Sequence, residues 1–162
     1  MKQILTSILL GGLMTGNVGA HGDATHKAKA TRKTISTEEK AFGREGDPKR
    51  ATRTIHVVKS DKMRFTPSDI SIKQGETINF TIKNSGKIMH EFVLGNMKEL
   101  KDHAELMKKH PGMEHDEPFM AHVAPGKTQT MTWQFTRAGA FNFGCLIPGH
   151  FEAGMIGKVT VK

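Results

Sequence analysis

The chain has one cysteine, Cys145, and no tyrosine among its 162 residues. A single cysteine excludes an internal disulfide, so the framework of small disulfide-stapled secreted domains is ruled out. With no tyrosine as well, an immunoglobulin-type sandwich loses both its cross-sheet disulfide and its tyrosine corner. Long apolar runs are missing. The N-terminal stretch from Ile4 to about Met14 is broken by glycines and falls short of the roughly 20 apolar residues of a membrane span. No zinc-finger, helix-turn-helix or aromatic ribonucleoprotein motif accompanies the basic residues, which argues against a nucleic-acid partner.

That N-terminal stretch has the order of an export signal: Lys2, then the apolar run, then the small residues Val18-Gly19-Ala20. The expectation is a signal peptide over residues 1–20 and a soluble product without membrane insertion, placed in the periplasm. Lysine and arginine outnumber aspartate and glutamate 24 to 16. Much of the excess lies between Lys27 and Arg53, in a segment poor in large apolar side chains. Residues 21–52 therefore read as a flexible, basic, histidine-containing tail, and residues 53–162 as the folded domain.

Within that domain the apolar residues recur with period two, as in half-buried strands. Ile55 and Val57 begin the series, followed by Ile70 and Ile72, then Ile78, Phe80 and Ile82, then Phe92 and Leu94. Met131, Trp133 and Phe135, Phe141 and Phe143, and Ile156, Val159 and Val161 complete it. Turn signals at Gly75-Glu76, Asn84-Ser85-Gly86, Pro125-Gly126 and Ala138-Gly139 separate the runs. Seven or eight short strands spaced in this way define an all-β class and predict a β-sandwich. One stretch breaks the pattern. Residues 97–110 carry helix formers, place Leu100, Ala104 and Met107 on one face, and end at Pro111-Gly112, predicting an inserted helix.

Since the chain is expected to be exported, its lone thiol needs an explanation. An unpaired cysteine in an oxidising compartment is an intermolecular link, a liability or a metal ligand. Its surroundings favour the last. Cys145, His150 and Met155 form C-x4-H-x4-M in a loop containing Pro148, Gly149 and Gly154, with strand-like residues on both sides. Thiolate, imidazole and thioether together suit copper. Two imidazoles and a thiolate with a weak axial methionine make an electron-transfer copper site. The loop supplies one histidine, so a second must come from upstream, where His90 follows Asn84-Ser85-Gly86.

On the C-x4-H-x4-M loop, the upstream His90, Met63-Arg-Phe65-Thr-Pro67 and the terminal Gly157-Lys158-Val159-Thr160-Val161, the chain resembles the cupredoxins over about residues 53–162. HEFVLG at 90–95, the helical insert and CLIPGHFEAGM look like periplasmic cupredoxins linked to bacterial copper tolerance. The resemblance implies an eight-stranded Greek-key sandwich with one type 1 copper at one end. His90, Cys145 and His150 would then be the strong ligands and Met155 the weak axial one. It also implies that His150 reaches the surface through an apolar patch, for which Ile147, Pro148 and Phe151 are the candidates, with His90 more buried. Glu91, Glu152 or a backbone carbonyl could replace Met155 or add a fifth contact.

Nine histidines and ten methionines give a second signal. His103, Met107 and His110 share a helix face at i, i+4, i+7, and Met113, His115, Met120 and His122 follow. These residues, with His21 at the expected mature N-terminus, are candidates for a weaker second copper site, although Met107 also belongs to the apolar helix stripe. Two functions fit: copper tolerance, by sequestering copper or oxidising Cu(I), and a diffusible electron carrier between redox partners. The expected partner is accordingly a redox protein or a copper-handling protein, met by a monomer. Copper oxidases and nitrite reductases need further ligands such as His-x-His pairs, and none occurs. The expectation is therefore a binding and redox protein rather than an enzyme, with cuprous oxidation the one activity that the site could support.

Overall fold

A computed structural model describes residues 34–162 apart from Gly112 and Glu114. The expected signal peptide, the start of the basic tail and His21 lie outside the described residues. Strands form where the alternation predicts them. β3 (Arg53–Ser60) turns Val57 inward, and β6 (Thr77–Asn84) buries Ile78, Phe80 and Ile82. β9 (Thr128–Gln134) buries Met131 and Trp133. These strands and β4 (Arg64–Thr66) belong to one sheet, in which β6 runs parallel to β3 and antiparallel to β9. The facing sheet has the order β5 (Asp69–Ile72), β11 (Ile156–Val161), β10 (Gly139–Gly144), β7 (His90–Gly95), β8 (Met120–Val123). The chain crosses between the two sheets after β4, β5, β6, β8 and β9, giving a β-sandwich. Its apolar layer includes a ring cluster in which Phe92 stacks on Phe143 with centroids 4.8 Å apart.

The boundary expected at Arg53 is corrected. β1 (Glu39–Lys40) and β2 (Gly43–Glu45) form a hairpin whose second strand pairs with β9, so the first sheet reads β1-β2-β9-β6-β3-β4. Phe42 is buried. Its ring stacks on Trp133 at 5.2 Å, and its carbonyl accepts the Trp133 Nε1–H at 2.9 Å. A single aromatic in a polar segment generates no periodicity, which is why the sequence suggests a free tail here. Burial of one large ring and pairing with an open sheet edge are enough to dock it.

α1 (Met97–Lys109) is the predicted insert. Asn96 and Glu99 close a reciprocal capping box at its start. Leu100 and Ala104 pack with Val93, Met120, Leu146 and Phe151 in a second apolar cluster. This helix is therefore fixed against the strand that begins at His90 and the loop that follows Cys145.

Candidate metal centre

Three donors meet at one end of the sandwich. Cys145 leaves the end of β10 and His90 opens β7, the strand hydrogen-bonded to β10. His150 sits in the loop between β10 and β11. That loop is closed by its own backbone: Cys145 N–H donates to Met155 O at 3.1 Å, and Met155 N–H donates to His150 O at 3.1 Å. Gly149 adopts φ 87°, a left-handed conformation that favours glycine, so the chain can reverse just before His150. The Cys145 Sγ lies 3.2 Å from His150 Nδ1 and 4.0 Å from His90 Nδ1, and the three donor atoms lie within 4.8 Å of one another. First-row metal bonds to nitrogen and sulfur are about 2.0–2.3 Å. Donors spaced in this way can surround one ion.

The surroundings prepare these atoms for a metal. His90 is fully buried, whereas His150 is half-buried, the asymmetry the resemblance implies. His90 Nε2 is 3.1 Å from Asp61 Oδ1, so the carboxylate orients the ring and leaves Nδ1 for the ion. Asp61 lies in the three-residue turn joining β3 to β4, and it also accepts the Lys87 amide at 2.8 Å. Gly86 makes this approach possible, because a Cβ there would stand 2.0 Å from Asp61 Oδ1. Burial lowers the pKa of both His90 and His150, with Lys59 adding to the effect at His90 and His90 itself adding to it at His150. Burial pushes the Cys145 thiol up to about 11, and the Glu91 carboxylate adds to this. The Glu91 amide works in the opposite direction by donating to Sγ at 3.3 Å.

Met155 is fully buried beside Cys145 in the main apolar cluster. The two glutamates considered in its place point elsewhere. Glu91 accepts the Leu146 amide at 3.3 Å and lies 3.2 Å from His122 Nε2. Burial pushes its carboxyl up, but His122 and the Leu146 amide outweigh this and hold it below the usual range. Glu152 bonds Lys108 of α1 at 2.7 Å and accepts the Gly149 amide, tying the loop to the helix. The expected apolar patch is also revised. Pro148 is exposed and Ile147 partly buried, but Phe151 is buried in the second apolar cluster under α1.

The histidine- and methionine-rich insert divides in two. His103 Nε2 and His115 Nε2 lie 2.7 Å apart, while His122 is held by Glu91. Met107 and Met120 are buried in apolar packing, and His110 and Met113 are exposed on the surface. Of the seven candidates in and after the helix, the structure brings His103 and His115 together, because the stripe that docks α1 claims Met107 and strand β8 turns Met120 inward. Asp61 was not legible in advance: it reaches His90 only through a hairpin turn, which leaves no spacing signal. Lys59 was also missed, although it continues the inward alternation of Ile55 and Val57.

A β-sandwich holding a cysteine between two histidines at one end defines a single-copper protein of the cupredoxin class. The copper-binding family of plastocyanin and azurin matches residues 52–162, and the chain belongs to it. Among curated relatives, a copper-resistant cuproprotein, CopI, of Rubrivivax gelatinosus is 53% identical over 121 residues, covering 75% of this chain and 73% of the relative. The CopI of Pseudomonas aeruginosa is 38% identical over 151 residues, covering 75% and 83%. Among solved structures, the reduced auracyanin of Roseiflexus castenholzii superposes with a TM-score of 0.60 at 22% identity, over 69% of this chain and 98% of that one. Its likeness speaks for the fold alone. Copper is the cofactor that the family and the His–Cys–His cluster both support.

Proposed function

We propose that this protein is an exported, periplasmic copper-tolerance factor with one redox-active copper held by His90, Cys145 and His150 and capped by Met155. The observation that carries this reading is the convergence on a single point of an imidazole from the start of β7 with a thiol and an imidazole from the β10–β11 loop. Bound in such a set, copper supplies a one-electron Cu(I)/Cu(II) couple. The chain's own residues do the rest. Asp61 fixes the ring of His90, and the Glu91 amide moderates the thiolate. The backbone bonds across the loop keep His150 and Met155 in place, so little need move when the charge changes.

Tolerance is favoured over plain electron carriage by two observations. The relatives in Rubrivivax gelatinosus and Pseudomonas aeruginosa are named for copper resistance. The His103–His115 pair, only partly buried, offers two further imidazoles that would hold a second copper as cargo. The electron-carrier reading rests on His150, half-buried beside the exposed Pro148, where a redox partner could dock on a monomer. A deletion strain complemented in turn with the parent, Cys145→Ser and His103→Ala/His115→Ala separates the two. Tolerance predicts copper sensitivity that only the parent fully reverses. Normal growth on copper with impaired respiratory electron flow would overturn it. Among the described residues no helix is long and apolar enough to cross a membrane. Retention of the mature protein in the periplasmic fraction tests the export reading.

A further inference from the structure

The hairpin of β3 and β4 reaches the site twice. Its turn carries Asp61, which orients the ring of His90. Arg64, the first residue of β4, reaches the loop between β10 and β11. Its Nη1 donates to two backbone oxygens, Ala153 O at 2.7 Å and Met63 O at 2.7 Å. Ala153 lies between His150 and Met155. There the Ala153 amide donates to Gly149 O at 3.1 Å and the Gly154 amide to Phe151 O at 3.0 Å. The amides of this turn are thus used inside the loop, whereas the Ala153 carbonyl is met from outside it. Gly154 leaves the room for this approach, because a Cβ there would stand 3.2 Å from Nη1 and 3.6 Å from Cζ. Met63, whose oxygen takes the other hydrogen of Nη1, adopts φ 56°, which is uncommon for a residue with a side chain. One guanidinium therefore fastens both the bend of the hairpin and the ligand loop. It stays charged at any working pH, and hydrogen bonds from a charged donor are stronger than neutral ones.

We propose that Arg64 is a positioning residue of the copper centre, which pins the segment between His150 and Met155 and so fixes where the Met155 sulfur stands relative to the three strong donors. The inference rests on the His90–Cys145–His150 reading of the site, with Met155 as its cap. Its physical basis is geometry. Ala153 is two residues from Met155, whose amide donates to His150 O and whose carbonyl accepts the Cys145 amide. Slack at Ala153 passes through these bonds to both sulfur ligands. A weak axial thioether is not held by a strong bond to the metal, so the surrounding backbone must set its distance.

The test uses the full chain, copper-loaded and copper-free, with two variants that remove the contact and one that keeps it. In Arg64→Gln the side chain falls short of the loop, and in Arg64→Met it has no donor; either variant carries the test if the other does not fold. Arg64→Lys retains a cationic donor. Loaded with copper, the two loss variants should keep a visible thiolate band at a shifted wavelength and yield copper to an excess of chelator about tenfold faster. Free of copper, their Met155 and Cys145 amides should exchange with solvent about tenfold faster by nuclear magnetic resonance, at an unchanged melting temperature. The lysine variant should return these values toward the parent's. A parental band, release rate and amide exchange in the loss variants would overturn the proposal. So would a lowered melting temperature with band and release unchanged, the mark of a merely structural arginine. A parent protein that binds copper without the thiolate band would overturn the underlying site reading instead, and amide exchange in the copper-free chain would still decide whether Arg64 holds the loop.

Discussion

Two places in this molecule bring a pair of imidazoles together, and they are built differently. At the sandwich end, His90 and His150 have ring centroids 4.9 Å apart, with the Cys145 sulfur beside both Nδ1 atoms. One ring is anchored by a strand and a carboxylate, the other by a loop bonded to itself. On the insert, His103 and His115 have centroids 4.6 Å apart. One ring stands on a helix and the other on the irregular segment after it, both only partly buried. The thioethers of Met107 and Met120 are taken up by apolar packing. Close approach of rings is therefore common to both, and the sulfur and the rigid surroundings are not. The first arrangement suits a copper that stays and changes charge; the second is where the proposed tolerance role would have copper come and go.

The largest effect that could break this contrast is expected from Cys145→Ser. The visible thiolate-to-Cu(II) absorption should disappear entirely, while a weaker colourless equivalent of copper remains on the insert. Survival of the visible band on titration with copper would show that sulfur at 145 is not its source. A smaller effect is expected from His103→Ala/His115→Ala. Calorimetric titration should lose the weaker equivalent, or weaken it at least tenfold, with the visible band unchanged. Two unchanged equivalents would remove the insert from copper chemistry.

The two places should also differ in protons. Cys145 is pushed up to about 11, so at pH 7 it is a thiol that copper must deprotonate. His90 and His150 are shifted down, mainly by burial, and are neutral before binding. The first equivalent of copper should therefore release about one proton at pH 7, read with an indicator dye in weak buffer. The second should release far less, because His103, shifted down by burial and by His115, brings none. Equal release at both steps would contradict the assignment of the thiolate to the first.

The contrast also shows what a sequence can disclose. Strand periodicity located the sandwich, because inward residues such as Ile78, Phe80 and Ile82 must alternate when one face is buried. The stripe of Leu100, Ala104 and Met107 located the helix for the equivalent reason. The metal triad was legible because its residue types are chemically selective and two of them lie in one loop. What escaped were contacts made by single residues across large separations. Phe42 reaches Trp133 over 91 positions, Asp61 reaches His90 from a turn, and Lys59 is a charged residue in an apolar row. None of these leaves a repeating pattern. The pairing of His103 with His115 was likewise hidden among seven histidines and methionines of the insert, most of them taken up by packing or left on the surface.

X-ray absorption at the copper edge of the singly loaded protein tests the central claim most directly. The account predicts one short sulfur bond from Cys145 and two imidazole nitrogens, with Met155 as a longer sulfur contact. A shell of nitrogen and oxygen alone would contradict it.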